Sequence, residues 1–274
     1  MKGLHKNQTV IITGASSGVG EAVAHHFAAN EANLVLVARN KEKLYQVKDH
    51  LRQQTNVIAI PMDVTKFDDC QNLVNSALAK YSSIDILINN AGCHERGYVE
   101  ENDPQDLGRM IDVNLKAPIV LSRMVLPHMI KDGCAIINVA SLAGRVPVPG
   151  SAVYSASKFG LRAFTYALSN ELHSRSIKIA TVSPGPIDTP FIMSDIDSVS
   201  DLTFSQKIST VDEVAKTILR LCKNKKIEES MPKLSGFFTN MTYLFPRLGS
   251  MLSPFLIKKG HRTKMKLKSE KINR

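Results

Sequence analysis

Short runs of β-branched and other apolar residues recur along the chain, separated by longer stretches in which apolar positions return every three or four residues. The runs Gln8–Thr13, Asn33–Ala38, Asn56–Pro61, Ile84–Asn89, Ala135–Ala140 and Lys178–Val182 are nearly continuous in Val, Ile and Leu. Strands covered on both faces of a parallel sheet read this way. The intervening stretches Gly18–Asn30, Lys41–Gln53, Phe67–Tyr81, Pro104–Lys131 and Val153–Arg175 have helical spacing. So regular an alternation predicts βαβ units with right-handed crossovers. No repeat or low-complexity stretch interrupts the first 230 residues. One doubly wound α/β domain over residues 1–230 accounts for them.

Beyond that the pattern changes. Thr210–Lys223 predicts one more amphipathic helix, with Val211, Val214, Ile218 and Leu221 on one face. Residues 231–257 form an apolar extension rich in Phe237, Phe238, Met241, Tyr243, Leu244, Phe245, Leu248, Met251, Leu252 and Phe255. Asn240, Pro246, Arg247, Gly249 and Pro254 interrupt it. A spanning helix needs about 20 predominantly apolar residues, and this segment is too broken to supply them. A basic tail, 258–274, follows.

Charge sharpens that division. The chain has 274 residues with 35 Lys and Arg against 25 Asp and Glu, a net charge of +10. The tail alone holds eight basic residues and one acid, Glu270, which leaves the first 257 residues at only +3. An apolar content of 43% and a mean hydropathy of −0.08 exclude wholesale disorder and a polytopic membrane protein. Cys70, Cys93, Cys134 and Cys222 form no CxxC pair and no metal-ligand spacing. No metal is therefore expected, and so few cysteines favour a reducing compartment. The N-terminus has no uninterrupted apolar run of signal-peptide length, so the expected location is the cytoplasm.

The first strand runs into Thr13-Gly14-Ala15-Ser16-Ser17-Gly18-Val19-Gly20, and a helix follows. Glycines at such a junction let the backbone approach a pyrophosphate, and the helix N-terminus offers it free N–H groups and a positive dipole end. At the end of the second strand an acidic residue selects NAD, whereas an arginine accommodates the extra phosphate of NADP. Here the strand ends in Ala38-Arg39-Asn40, with no carboxylate until Glu42. Arg39 supplies a forked donor suited to a phosphate, with Lys43 or Ser16 to assist. NADP(H) is the expected cofactor. Tyr154 and Lys158 are four apart on one helix face. A tyrosine with a pKa near ~10 is a poor base at neutral pH, and a nearby ammonium is expected to lower that value. Ser141 follows the fifth strand, at the carboxyl edge where open α/β sheets place their sites.

The glycine spacing TGxxxGxG resembles that of the short-chain dehydrogenase/reductase family. Further signposts of that family stand in order: Asp63, Asn89-Asn90-Ala91-Gly92, Asn114, Ser141, Tyr154-Ser155-Ala156-Ser157-Lys158 and Pro184-Gly185. The resemblance covers about residues 6 to 225. It implies a Rossmann-type parallel sheet in the order 3-2-1-4-5-6-7 with helices on both faces. It also implies hydride transfer between nicotinamide and a carbonyl or secondary alcohol, with Tyr154 as general acid/base and Lys158 tuning it and bonding the nicotinamide ribose. Ser141 would hold the substrate oxygen, and Asn114 would retain a water that passes protons to Lys158. Gly14, Ser16, Ser17, Gly18, Val19 and Gly20 would cradle the phosphates. Asp63 and Val64 would flank the adenine, and Asn90, Ala91 and Gly92 would approach the adenosine half. Pro184, Gly185, Ile187 and Thr189 would line the nicotinamide.

The resemblance also makes the region after Pro190 a substrate-covering lid. Its Phe191, Ile192 and Met193, followed by Ser194, Asp195 and Ile196, argue for a substrate with hydrophobic bulk. Cys93 reads as a small wall residue, His94 as loop surface or pocket rim, and His25-His26 as part of a helix face. The family commonly pairs its fourth and fifth helices, which implies a homodimer or homotetramer. For the C-terminal 234–274 two readings stand: packing on the body or a partner subunit with a solvated, frayed tail, or peripheral contact with an anionic membrane. Nucleic acid is the disfavoured partner. Two non-enzymatic classes stay open, a catalytically vestigial NADP(H)-binding regulator and a membrane-surface adaptor.

Overall fold

Successive residues of a strand face opposite sides of a sheet, so an unbroken apolar run is stable only where both faces are covered. The computed structural model, which describes residues 3–194 and 196–272, meets that condition. The lid residue Asp195 lies outside the described residues, as do Met1, Lys2, Asn273 and Arg274, and the side chains of Leu248, Glu270, Lys271 and Ile272. Strands β1 (Thr9–Thr13), β2 (Asn33–Ala38), β3 (Val57–Pro61), β4 (Ile86–Asn89), β5 (Cys134–Val139), β6 (Ile177–Pro184) and β7 (Glu228–Met231) form one sheet. All neighbours pair in parallel, in the order β3-β2-β1-β4-β5-β6-β7.

The alternation is visible in β1. Val10 and Ile12 face one core with Leu34, Leu36, Ile86 and Ile137. Helices α1 (Gly18–Ala28), α2 (Lys41–Leu51) and α8 (Val211–Leu221) cover that side through Phe27, Leu44 and Ile218. Ile11 faces the other core with Val35, Leu87 and Ile136. Helices α3 (Phe67–Tyr81), α5 (Ala117–Val125) and α6 (Ala152–Glu171) close it through Leu73, Leu121 and Leu168. The strand order reverses between β1 and β4, and it is outside the carboxyl ends at such a switch point that a crevice opens.

Two features differ from the sequence expectation. The stretch expected as one helix over Pro104–Lys131 is α4 (Pro104–Ile111), a π-helical turn over Asp112–Lys116, and α5. Such bulges widen a helix locally and occur often at functional sites; this one carries the fully buried Asn114. The tail, expected to be solvated and frayed under one reading, is helical over its described residues 258–272. A short helix α7 (Pro190–Met193) opens the lid, and α9 (Lys233–Leu244) packs beside β7. Helix α10 (Pro246–Ile272) then continues over the lid segment 201–205. Among the described residues no helix is long and apolar enough to cross a membrane.

Candidate active site

At the switch point the turns after β1 and β4 are tied together by hydrogen bonds. The Thr13 hydroxyl accepts from the Asn90 and Ala91 N–H groups at 2.9 and 3.0 Å and donates to the Ile88 carbonyl at 3.3 Å. The Asn90 amide donates to the Thr13 carbonyl at 2.9 Å and to that of Gly14 at 3.2 Å. Gly14 must be glycine here. Its φ is +67°, and a Cβ would sit 2.8 Å from Asn90 Nδ2. Gly18 opens α1, and the preceding Ser17 makes no side-chain cap. The first N–H groups of α1 therefore have no side-chain acceptor at the N-cap and face the cleft through Ser16, Ser17, Gly18 and Val19. This cradle fits a pyrophosphate. Gly20 is not on the cleft wall; it lies buried beneath the turn, against the Gly14 carbonyl.

The same cleft is lined by the exposed Arg39 at the end of β2, by Asp63 and Val64 after β3, and by Asn90, Ala91 and Gly92 after β4. Asp63 folds its carboxylate into its own loop, accepting from the Thr65 N–H at 3.0 Å and hydroxyl at 2.9 Å. Pro184 at the end of β6, and Gly185, Ile187 and Thr189 after it, line the cleft as well.

Ser141, Tyr154 and Lys158 line the cleft together. Ser141 leaves β5 in an extended conformation, and its hydroxyl accepts from the Ala143 N–H at 3.1 Å. Lys158, one helical turn beyond Tyr154 on α6, is buried and donates to the Val139 carbonyl at 2.9 Å. Its Nζ stands 5.8 Å from the Tyr154 ring centroid. Burial pulls the Lys158 ammonium down to about 8. Tyr154 moves the other way from the expectation. Burial raises its pKa, and the Ser141 hydroxyl and the Arg96 charge only partly offset this. In the free protein the phenol is thus a protonated acid, because the removal of water outweighs the Ser141 and Arg96 contributions. Asn114 does not reach the cleft wall. From the π-turn its amide exchanges hydrogen bonds with the Cys93 backbone, accepting from N–H and donating to C=O, both at 2.9 Å, and it reaches Ser157 at 3.2 Å.

Residues 8–199 match the description of the short chain dehydrogenase family. The chain belongs to that family. An uncharacterized oxidoreductase of Staphylococcus saprophyticus is 37% identical over 218 residues, covering 78% of this chain and 85% of the relative. One from Staphylococcus epidermidis is 33% identical, covering 68% of this chain and 80% of its own. Two solved structures share the fold. A 3-ketoacyl-(acyl-carrier-protein) reductase from Brucella melitensis, complexed with NADH, superposes with a TM-score of 0.74 at 29% identity, over 83% of this chain and 98% of that one. A short chain dehydrogenase from Burkholderia cenocepacia in complex with NADP gives 0.75 at 27% identity, over 82% and 95%.

In this short chain dehydrogenase the cleft continues past the family region. Its volume is about 1630 Å³, and Phe191 and Ile192 of the lid, Phe238 and Tyr243 of α9, and Leu252 and Phe255 of α10 all line it. Met193 instead packs against the lid's own apolar cluster. Two residues near Tyr154 carry no sequence signal of a role. His94 stacks on Tyr154 and bonds the Ser151 hydroxyl at 3.1 Å, and Arg96 donates to the Phe191 carbonyl at 2.8 Å. No spacing rule marks either, since both partners are distant in sequence. Burial pushes the Cys93 thiol up to about 11, so it stays protonated. His26 pairs with Asp212 at 2.7 Å, and the described residues contain no metal-ligating cluster.

Proposed function

We propose that this short chain dehydrogenase uses NADP(H) to interconvert a carbonyl and a secondary alcohol on a hydrophobic substrate. The observation that carries the reading is the gathering of Ser141, Tyr154 and Lys158 on the wall of a cavity that begins at the glycine turn. The nicotinamide, when bound, supplies or accepts the hydride. Gly14, Ser16, Ser17, Gly18 and Val19 would hold the pyrophosphate, with Gly20 packing beneath, and Arg39 would take the extra phosphate. Asp63 and Val64 would flank the adenine and Asn90 to Gly92 the adenosine, while Pro184, Gly185, Ile187 and Thr189 would line the nicotinamide.

In reduction Tyr154 donates its phenolic proton to the substrate oxygen, and in oxidation it takes the proton back. Its raised pKa keeps that proton in place at neutral pH. Ser141 holds the substrate oxygen and stabilises the charge that develops there. Lys158, largely an ammonium at pH 7, supports the phenolate that Tyr154 becomes and reaches the nicotinamide ribose. Asn114 fixes the Cys93 backbone beside Gly92 and helps retain a water that returns protons to Lys158.

A cavity of about 1630 Å³ exceeds the roughly 300–1,000 Å³ of a single small-molecule site. Its apolar lid and C-terminal wall support a bulky apolar substrate. The family's helix pairing supports a homodimer or homotetramer through α4–α5 and α6. Leu234, Phe237, Tyr243, Leu244, Met251 and Phe255 are all exposed, as are Lys258, Lys259 and Arg262, which follow in the sequence; this supports peripheral contact with an anionic membrane from the cytoplasm. The complete Ser141, Tyr154 and Lys158 set disfavours a vestigial regulator. NADPH oxidation with aliphatic aldehydes, ketoacyl compounds and steroids, in the wild type and in Tyr154→Phe, tests the reading.

A further inference from the structure

The basic tail has a specific partner within the chain. Gly260 is buried where α10 crosses the lid, and a Cβ there would lie 1.7 Å from the Asp201 carbonyl oxygen. Only glycine permits that crossing. One turn on, Lys264 is 12% exposed at its side chain and lies 3.3 Å from the Asp201 carboxylate. Its Nζ also donates to the carbonyls of Val199 at 2.7 Å and Asp197 at 3.1 Å. His261 meets the other Asp201 oxygen at 2.9 Å, and Lys268 pairs with the Asp197 carboxylate. Between these polar contacts Leu267 packs on the cluster of Ile192, Ile196, Val199 and Phe204. A shielded cation with three oxygen partners is charge-assisted on every side, unlike an isolated surface pair.

The gripped segment also faces the cleft. Val199, Leu202 and Thr203 line the cavity, as do Leu252 and Phe255 of the first half of α10. One helix therefore forms a wall of the cavity and holds the lid above it. We propose that Gly260 and Lys264 are positioning residues of the substrate lid: through them α10 fixes segment 196–206 over the cleft and thereby sets the apparent affinity for the carbonyl substrate. The affinity part rests on the reading of the cleft as the substrate site; the grip on the lid does not.

Amide hydrogen exchange on the full chain, with and without NADPH, tests the grip. In Lys264→Ala, and in Gly260→Ala, exchange over 196–206 is expected to rise about tenfold while β1, β4 and β5 keep their protection. Lys264→Arg should restore most of the protection. Arg262→Ala removes an equal charge from the exposed side of the same helix and should change nothing at the lid. With 2-decanone as the probe carbonyl, Lys264→Ala should raise KM about tenfold, with kcat and the Kd of NADPH each within about twofold of wild type. Unchanged exchange over 196–206 in both variants would overturn the proposal, and so would a loss of protection spread evenly through the sheet. If wild-type protein fails to reduce 2-decanone, the substrate reading suffers while the exchange result still decides the grip.

Discussion

The imidazole of His94 lies face to face with the phenol of Tyr154, ring centroids 4.0 Å apart and planes 13° from parallel. The stack restricts the phenol to one orientation, and the Ser151 hydroxyl holds the imidazole in turn. Burial, with the Arg96 and Lys158 charges adding to it, pulls the His94 pKa down to about 3. His94 therefore stays neutral throughout the working range. Stacked rings contribute about 0.5–1.5 kcal/mol beyond area burial, so His94→Ala should lower kcat by roughly two- to tenfold, and His94→Phe should retain most of it. The wild-type pH–rate profile should show no limb at the ordinary histidine value. A limb near ~6.5 that vanishes in His94→Phe would refute the neutral assignment.

Lys158 gives the profile its upper limb. Its folded pKa is lowered to about 8, so the ammonium is present below that pH and lost above it. In the proposed mechanism, reduction needs the ammonium to support the phenolate left on Tyr154. The kcat/KM for carbonyl reduction should therefore fall as pH rises through about 8. Lys158→Met should lose activity at all pH values, by about 10²-fold or more.

Arg39 stands exposed at the cleft wall where the second strand ends, with no carboxylate until Glu42. Arg39→Ala should raise the KM for NADPH by about tenfold or more while that for NADH stays nearly constant. Retention of the NADPH preference in steady-state kinetics would remove the basis for the assignment.

The exposed apolar residues of α9 and α10 bear on the membrane reading. Full-length protein should co-sediment with vesicles containing phosphatidylglycerol at low salt and be released at about 0.5 M salt. The double variant Phe237→Asp/Leu244→Asp should not sediment. Both residues are well exposed, at 62% and 67%, so the fold should tolerate the change. Absence of wild-type binding at low salt would exclude this mode.

The sheet and the cleft were legible in the sequence where chemistry is local. Strands buried on both faces announce themselves as continuous Val, Ile and Leu, and the glycine turn, Ser141, Tyr154 and Lys158 stand at fixed positions relative to them. The apolar pattern does not mark strand β7, because Glu228-Glu229-Ser230-Met231 reads as polar; only the family resemblance implies a seventh strand. Its Glu228 is held by Arg145 and Arg162 and by the Ser183 and Tyr166 hydroxyls, partners from three other parts of the chain. Glu229 is held by Arg220. The π-turn at Asn114 escaped because helical spacing tolerates one extra residue. The direction of the Tyr154 shift depends on how much water is excluded, which no spacing encodes. The grip of α10 on the lid joins residues about sixty positions apart, so a tail that reads as loose charge is in fact partly neutralised by Asp197 and Asp201.

In the proposed mechanism each turnover moves one proton on or off Tyr154. The direct measurement compares wild type with Tyr154→Phe, following NADPH oxidation against the carbonyl panel and NADPH binding by fluorescence titration. The expected result is turnover of at least one bulky apolar carbonyl by the wild type, with kcat in Tyr154→Phe lower by about 10³-fold and NADPH affinity unchanged. Turnover in Tyr154→Phe equal to that of the wild type would contradict it.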